Sequence, residues 1–200
     1  MKNSLAVFWI IFSLTSCLDK NEASYAEKIN AKRMFFESSF KGAESILNDS
    51  EKTYFKGLSY YKVDTAFLIS AKISWNKNPK PVKLYTDSND FGLHFPVVIF
   101  NFKIDTTSCK LIGYSTELQS VKKVFVPFYD RTNGDETYGG GRFMDVPLNN
   151  KEEAIIDFNL AYNPYCAYTK NYICPVPPLS NQLDIKIFAG EKRPLVEKHP

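Results

Sequence analysis

Two hundred residues, 44% hydrophobic and 15% aromatic, are enough for one globular domain with a real core and exclude an intrinsically disordered chain. A formal charge of +3 with no run of like charges excludes a dedicated nucleic-acid binder, which needs a basic stripe to neutralise phosphates. No internal repeat is present, so solenoids and propellers are excluded as well.

The chain begins MKNSLAVFWIIFSLTSC: a short start with Lys2, an apolar run over 5–14, then small residues before Cys17. The run is too short to span a membrane and reads as a secretory signal. Leu14, Thr15, Ser16 and Cys17 resemble the lipobox of bacterial lipoproteins, in which the cysteine becomes the acylated first residue. Several acyl chains on Cys17, palmitate among them, would give stable anchoring where one chain gives marginal binding. The expected location is therefore the cell envelope, with the membrane as a partner and the domain facing the periplasm or the exterior.

Residues 18–23 read as a polar tether and 24–200 as a single domain. Ser24 with Glu27 makes a capping box, and Ala26, Ile29, Arg33, Phe36 and Phe40 recur at spacings of 3 and 4, which predicts a helix ended by Gly42. A second helical turn is predicted over 51–56, with Ser50 as its N-cap and Gly57 as its stop.

Everything later reads as strand. In AFLISAKISW, Phe67, Ile69, Ala71, Ile73 and Trp75 face one way and polar residues mostly the other, a half-buried strand. FPVVIFNFKI, residues 95–104, is apolar on both faces and belongs at a sheet centre, with DTTS turning it into a strand over 109–114. Further strands are predicted at 82–86, 124–129, 142–146, 153–160 and 183–188, joined by links too short for crossover helices. The expected fold class is mainly β: an antiparallel β-sandwich or partly open barrel with an N-terminal helix over one end or edge.

The polar stretch over 127–145 carries Asp130, Asp135, Glu136, Tyr138 and three successive glycines. Gly134 stands where an EF-hand needs an oxygen ligand and Asp135 where it needs Gly, so the calcium pattern fails. Neither phosphate-loop spacing is present. The glycines supply unusual backbone angles for a wide hairpin, or close approach to a ligand. In AIIDFNLAYN, strand alternation puts Asp157 and Asn159 on one face, where Arg142 and Asp145 can join them around a small polar or anionic ligand; a solvated strand face is the alternative.

Cys166 and Cys174 are read as a disulfide in an oxidising compartment. A zinc site would have to recruit Cys109, His94 or His199 from distant segments, and a cysteine nucleophile would need one of those histidines as base. No metal set is complete and no cofactor is specified. Cys109 is left as a thiol packed at a hairpin end. Tyr162, Tyr165, Tyr168 and Tyr172 fit either a carbohydrate-stacking surface or a buried lid.

FKGLSYY, FYDRTNGDETYGGGRFMD and the long run DFNLAYNPYCAYTKNYICPVPPLSNQLDIKIFAGEK resemble the DUF1684 family of bacterial and archaeal domains of unknown function, over roughly residues 25–192. The resemblance implies that Asp130, Thr132, residues 136–142, Asp145, Asp157, Asn159, Tyr162, Asn163, the cysteine pair, Asn181 and residues 189–191 are family features. Relatives that look cytoplasmic and carry the same cysteines imply that the pair can also be reduced with another role.

The resulting expectation is a binding module with its site between the glycine loop and residues 163–178. Arg142 would hold an anion, Asp157 and Asn159 would orient the ligand, and Asp145, Asn163, Glu136 and Tyr138 would complete the set. A hydrolase or lyase using Glu136, Asp145 and Asp157 as acid and base, and a scaffold whose motifs only hold turns together, are the alternatives.

Overall fold

The computed structural model describes residues 5–84, 92–149 and 152–195, with side chains from residue 21 onward. Leader residues 1–4, the Cys17 side chain, the end of the strand expected at 82–86, and His199 lie outside them. Among the described residues no helix is long and apolar enough to cross a membrane.

The order of elements is helix α1 (Leu5–Ser39), helix α2 (Asp49–Tyr54), and strands β1 (Leu68–Trp75), β2 (Val82–Leu84), β3 (Gly92–Ile104), β4 (Thr107–Ser115), β5 (Lys123–Phe128), β6 (Arg142–Pro147) and β7 (Glu153–Asp157). The strands form one sheet in the order β6-β5-β4-β3-β1-β7, with β2 also on β3. Every strand pair is antiparallel. The sheet curls into a half-barrel, the partly open barrel among the expected alternatives.

The long strand β3 lies between β4 and β1. Val98, Phe100 and Phe102 bury one of its faces, with Val97 buried at the register shift, while Asn101 and Lys103 on the opposite face are exposed, so the expectation of two apolar faces is corrected for its second half. Its hairpin with β4 turns at Asp105, φ 51°. Ala71 of β1, Leu111 of β4, Val124, Val126 and Phe128 of β5, and Ile156 of β7 meet it in the core. The barrel is drawn together beyond the sheet edges by a single antiparallel bridge, Phe143 to Tyr162, with N–H to O distances of 2.8 and 2.9 Å.

Four local expectations are corrected. The tether expected at 18–23 is helical and Ser24 lies inside α1; these residues contain no Gly or Pro to stop propagation from either side. The cap of α2 is Asn48, which forms a capping box with Glu51, so Ser50 sits inside the helix. The strand expected over 153–160 stops at Asp157, whose carboxylate caps a short 3-10 turn over Phe158–Leu160 by accepting the Asn159 amide. Residues 183–188 alternate inside and outside as a strand would, but they are not a strand.

The face of α1 is the one that the helical spacing implied. Ile29, Arg33 and Phe40 are buried and Phe36 half-buried. Phe40 stacks on Phe55 at 5.2 Å and meets Tyr168 edge-on at 5.0 Å, while Phe36 approaches Tyr162 at 5.9 Å. The helix therefore lies across the end of the half-barrel where β7 leaves the sheet.

Candidate functional site

The expected site residues fall into two groups, and the dividing property is burial. Arg142 is completely buried and paired with Asp130, also buried. Its NH1 donates to the carbonyls of Ala189 (2.5 Å) and Glu191 (3.3 Å), and its NH2 to Asp130 and the carbonyl of Ile187 (3.0 Å). The expectation that Arg142 holds an anionic ligand is thereby corrected: its anion is Asp130, and its other donors clasp the C-terminal segment.

Asp130 is fixed in turn by the polar loop, accepting from the Thr132 amide and hydroxyl. The Thr132 carbonyl takes the amides of Glu136 and Thr137 at 3.0 Å, and Asn133 bridges to Thr137 and to the Tyr138 carbonyl. The loop is knitted to itself. Of the three consecutive glycines only Gly141 has a positive φ, 86°, and a Cβ there would meet Pro177 at 2.6 Å and the Phe128 carbonyl at 2.9 Å. Its close approach is to protein.

The buried asparagines act as clips. Asn159 pairs with the Asp64 backbone in both directions, at 2.9 and 2.8 Å. Asn181 does the same to Ile112 and also reaches the Pro127 carbonyl, filling a stretch where β4 and β5 share one residue pair. Asn163 donates its amide and its Nδ2 to the two carboxyl oxygens of Glu191, at 2.9 and 3.1 Å. Glu191 is fully buried, and burial pushes its carboxyl up to about 8 despite the opposing pull of Asn163, Arg142 and Arg33.

The three carboxylates considered for acid and base roles each have a different partner. Glu136 accepts from the Tyr61 hydroxyl at 3.0 Å, and Asp157 from the Tyr25 hydroxyl at 2.8 Å. Asp145 is exposed and ion-paired with Lys123 at 3.3 Å. Among the described residues no three His, Cys, Asp or Glu side chains cluster as a metal site requires.

An open cleft does exist. It has a volume of about 460 Å³, within the range of ligand pockets, and lies between α1, β6 and the loop after β7. Lys32, Arg33 and Phe36 form the helix wall; Phe143 and Asp145 come from β6, and residues 159–162 from the end of β7. Tyr60, Pro164, Tyr165, Tyr172, Ile173 and Cys174 close the remainder. Of the residues singled out as ligand contacts, Asp145 and Asn159 line this cleft; Arg142, Asp157, Asn163, Glu136 and Tyr138 do not.

Burial, with the charge of Asp145 nearby, raises the Tyr162 phenol well above its usual range. Tyr165 and Tyr172 meet edge-on at 5.2 Å. Tyr162, Tyr165 and Tyr172 therefore face the cleft, whereas Tyr168 packs against Phe40 and Phe55. The Sγ of Cys174 accepts the Cys166 amide at 3.3 Å, so the two cysteines are neighbours.

Sequence reasoning missed Arg33 and Tyr60. Arg33 is 8% exposed, donates to the carbonyls of Tyr61 and Asn159, both at 2.9 Å, and lies 4.5 Å over the Tyr60 ring. Its signal was an arginine on an otherwise apolar helix face.

The sequence pattern of the DUF1684 family, described as proteins of unknown function, matches residues 53–192. The chain belongs to this family. A similar structure is the solution NMR structure of an uncharacterized protein from Haloarcula marismortui, 31% identical, with a TM-score of 0.70, covering 90% of this chain and 100% of the other. No curated protein matches. The family match includes Asp130, Arg142, Asn159, Asn163 and Glu191, the residues that serve here as clasps and clips, and leaves out α1, which supplies one wall of the cleft.

Proposed function

We propose that this DUF1684 protein is a lipid-anchored binding module of the cell envelope, held by an acylated Cys17, whose small-molecule ligand lodges in the cleft beneath α1. The cleft itself carries the reading: a concave space of about 460 Å³ walled mainly by apolar and aromatic side chains, with a few charged groups in its lining, is the usual form of a ligand site. The anchor reading rests on the leader sequence, and α1 links the two, since the helix that contains position 17 also supplies Lys32, Arg33 and Phe36.

In an oxidising compartment the neighbouring Cys166 and Cys174 close as a disulfide. Such a loop is stabilised by about 2 to 3 kcal/mol in the chain-entropy model, and the bond would steady the wall that Cys174 contributes. The hydrolase reading loses its support because Asp145 is the only one of its three carboxylates on the cleft.

Mass spectrometry of the protein purified from membranes, without reductant, tests each part. An acylated Cys17 peptide, the loss of one pair of hydrogens across residues 166–174, and a bound mass that leaves on denaturation are expected. An unmodified Cys17 overturns the anchor. A ligand whose binding survives both Tyr162→Ala and Phe143→Ala overturns the cleft.

A further inference from the structure

The charges around the cleft do not cancel. The lysine, arginine and carboxylate side chains in its lining are Lys32, Arg33 and Asp145. Asp145 is already engaged by Lys123 at 3.3 Å. Lys32 is exposed and makes no ion pair among the described residues.

Arg33 is the more telling group. It is as buried as a core residue, yet its two hydrogen-bond partners are neutral carbonyls, and its Nε–H has no acceptor. Carbonyls and the Tyr60 ring replace part of the lost water but do not neutralise the charge. The carboxylates that act on Arg33, Asp157 and Glu191, do so without ion-pair contact. Asp157 is occupied by Tyr25 and Asn159. Both Glu191 oxygens are occupied by Asn163. The Nε–H of Arg142 has no acceptor either, but Arg142 is buried with its own carboxylate. The distinguishing fact is therefore the charge: one buried arginine has an anion in contact and the other has none among the described residues, beside a cleft and next to Lys32.

We propose, on the reading of the cleft as a ligand site, that its ligand is a small carboxylate with a ring-bearing body. The carboxylate lies against the Lys32 and Arg33 wall, and the ring packs among Phe36, Tyr162 and Tyr165. The sign of the ligand follows from the surplus charge. The ring follows from the walls, because aromatic faces and edges reward a flat partner beyond the area it buries.

Titration calorimetry on the full chain in nanodiscs, with empty nanodiscs as blank, tests the proposal using 2-naphthoate, its neutral amide 2-naphthamide, the cation 2-naphthylmethylammonium, and octanoate. The expected order has 2-naphthoate binding at least tenfold tighter than each of the other three. Lys32→Glu, an exposed position, should weaken 2-naphthoate about tenfold or more and leave 2-naphthamide unchanged. The amide or the cation binding as well as 2-naphthoate, with loss on Tyr162→Ala, overturns the anionic ligand while leaving the cleft a binding site. Octanoate equal to 2-naphthoate overturns the ring. No binding by any of the four overturns the inference, and if the purified protein also carries no bound mass, the reading of the cleft falls with it.

Discussion

Two buried arginines stand in opposite relations to the same barrel. Arg142, on the first residue of β6, has a buried aspartate, three backbone carbonyls and a face of Phe128 5.4 Å away. Arg33, on α1, has two carbonyls and a tyrosine ring. The first closes a structural clasp in the part of the chain densest in polar motif residues. The second borders the cleft from a helix that the family pattern does not include. Density of polar motif therefore marks the scaffold of this fold, and the buried cation left without a contacting carboxylate marks the place where something else can bind.

The largest expected effect breaks the clasp. Arg142→Met strands Asp130 as a buried, unpaired carboxylate and frees the carbonyls of Ile187, Ala189 and Glu191, and should cost about 3 to 5 kcal/mol in urea unfolding. Replacing both partners, Arg142→Met with Asp130→Leu, should restore part of that loss, because no uncompensated charge remains. Arg33→Met strands no partner carboxylate and should cost about 1 to 2 kcal/mol for its two lost hydrogen bonds. Equal costs for the two single substitutions would erase the distinction between the arginines.

The same contrast explains what could be read from the sequence. The strands were legible where one face is buried: Ile69, Ala71 and Ile73 alternate with exposed residues, as Phe100 and Phe102 of β3 do with Asn101 and Lys103. The segment 183–188 has a true strand pattern, with Leu183 and Ile187 inside and Asp184 and Lys186 outside. Its first half exchanges backbone hydrogen bonds with Tyr129 and Arg131, and it does not continue as a ladder because the Arg142 guanidinium, rather than a neighbouring strand, takes the Ile187 and Ala189 carbonyls. A side chain acting as a strand edge leaves no periodic trace. The β7 pattern failed after Asp157 for a related reason, since a carboxylate turning back onto the Asn159 amide converts an extended run into a 3-10 turn. For the site, composition identified polar residues but not their burial. Arg142 and Asn159 were chosen for chemistry that they spend within the fold.

A middle-sized effect should appear in the pH dependence of stability. Glu191 is buried against Asn163 beside both arginines, and its carboxyl is raised from 4.5 to about 8. The folded state therefore holds more protons than the unfolded state between those values, and stability should fall as pH rises from about 4.5 to 8, then level off. Glu191→Gln should remove that part of the slope in urea titrations from pH 4 to 9. A wild type and variant with parallel profiles would show that the Glu191 carboxyl keeps an ordinary affinity for its proton in the fold.

The smallest effect on stability belongs to Lys32, and its smallness gives it value. An exposed lysine with no ion pair among the described residues should move the folding free energy by no more than about 0.5 kcal/mol when changed to Glu. If thermal unfolding of Lys32→Glu matches wild type while Arg142→Met has lost several kcal/mol, the charge on the helix wall does nothing for the fold. A surface cation that contributes nothing to folding, next to a buried one that the fold leaves without an anion, retains its charge for a ligand. A clear loss of stability on Lys32→Glu would instead place Lys32 among the groups that hold α1 on the barrel, and the surplus charge in the cleft would then belong to the scaffold.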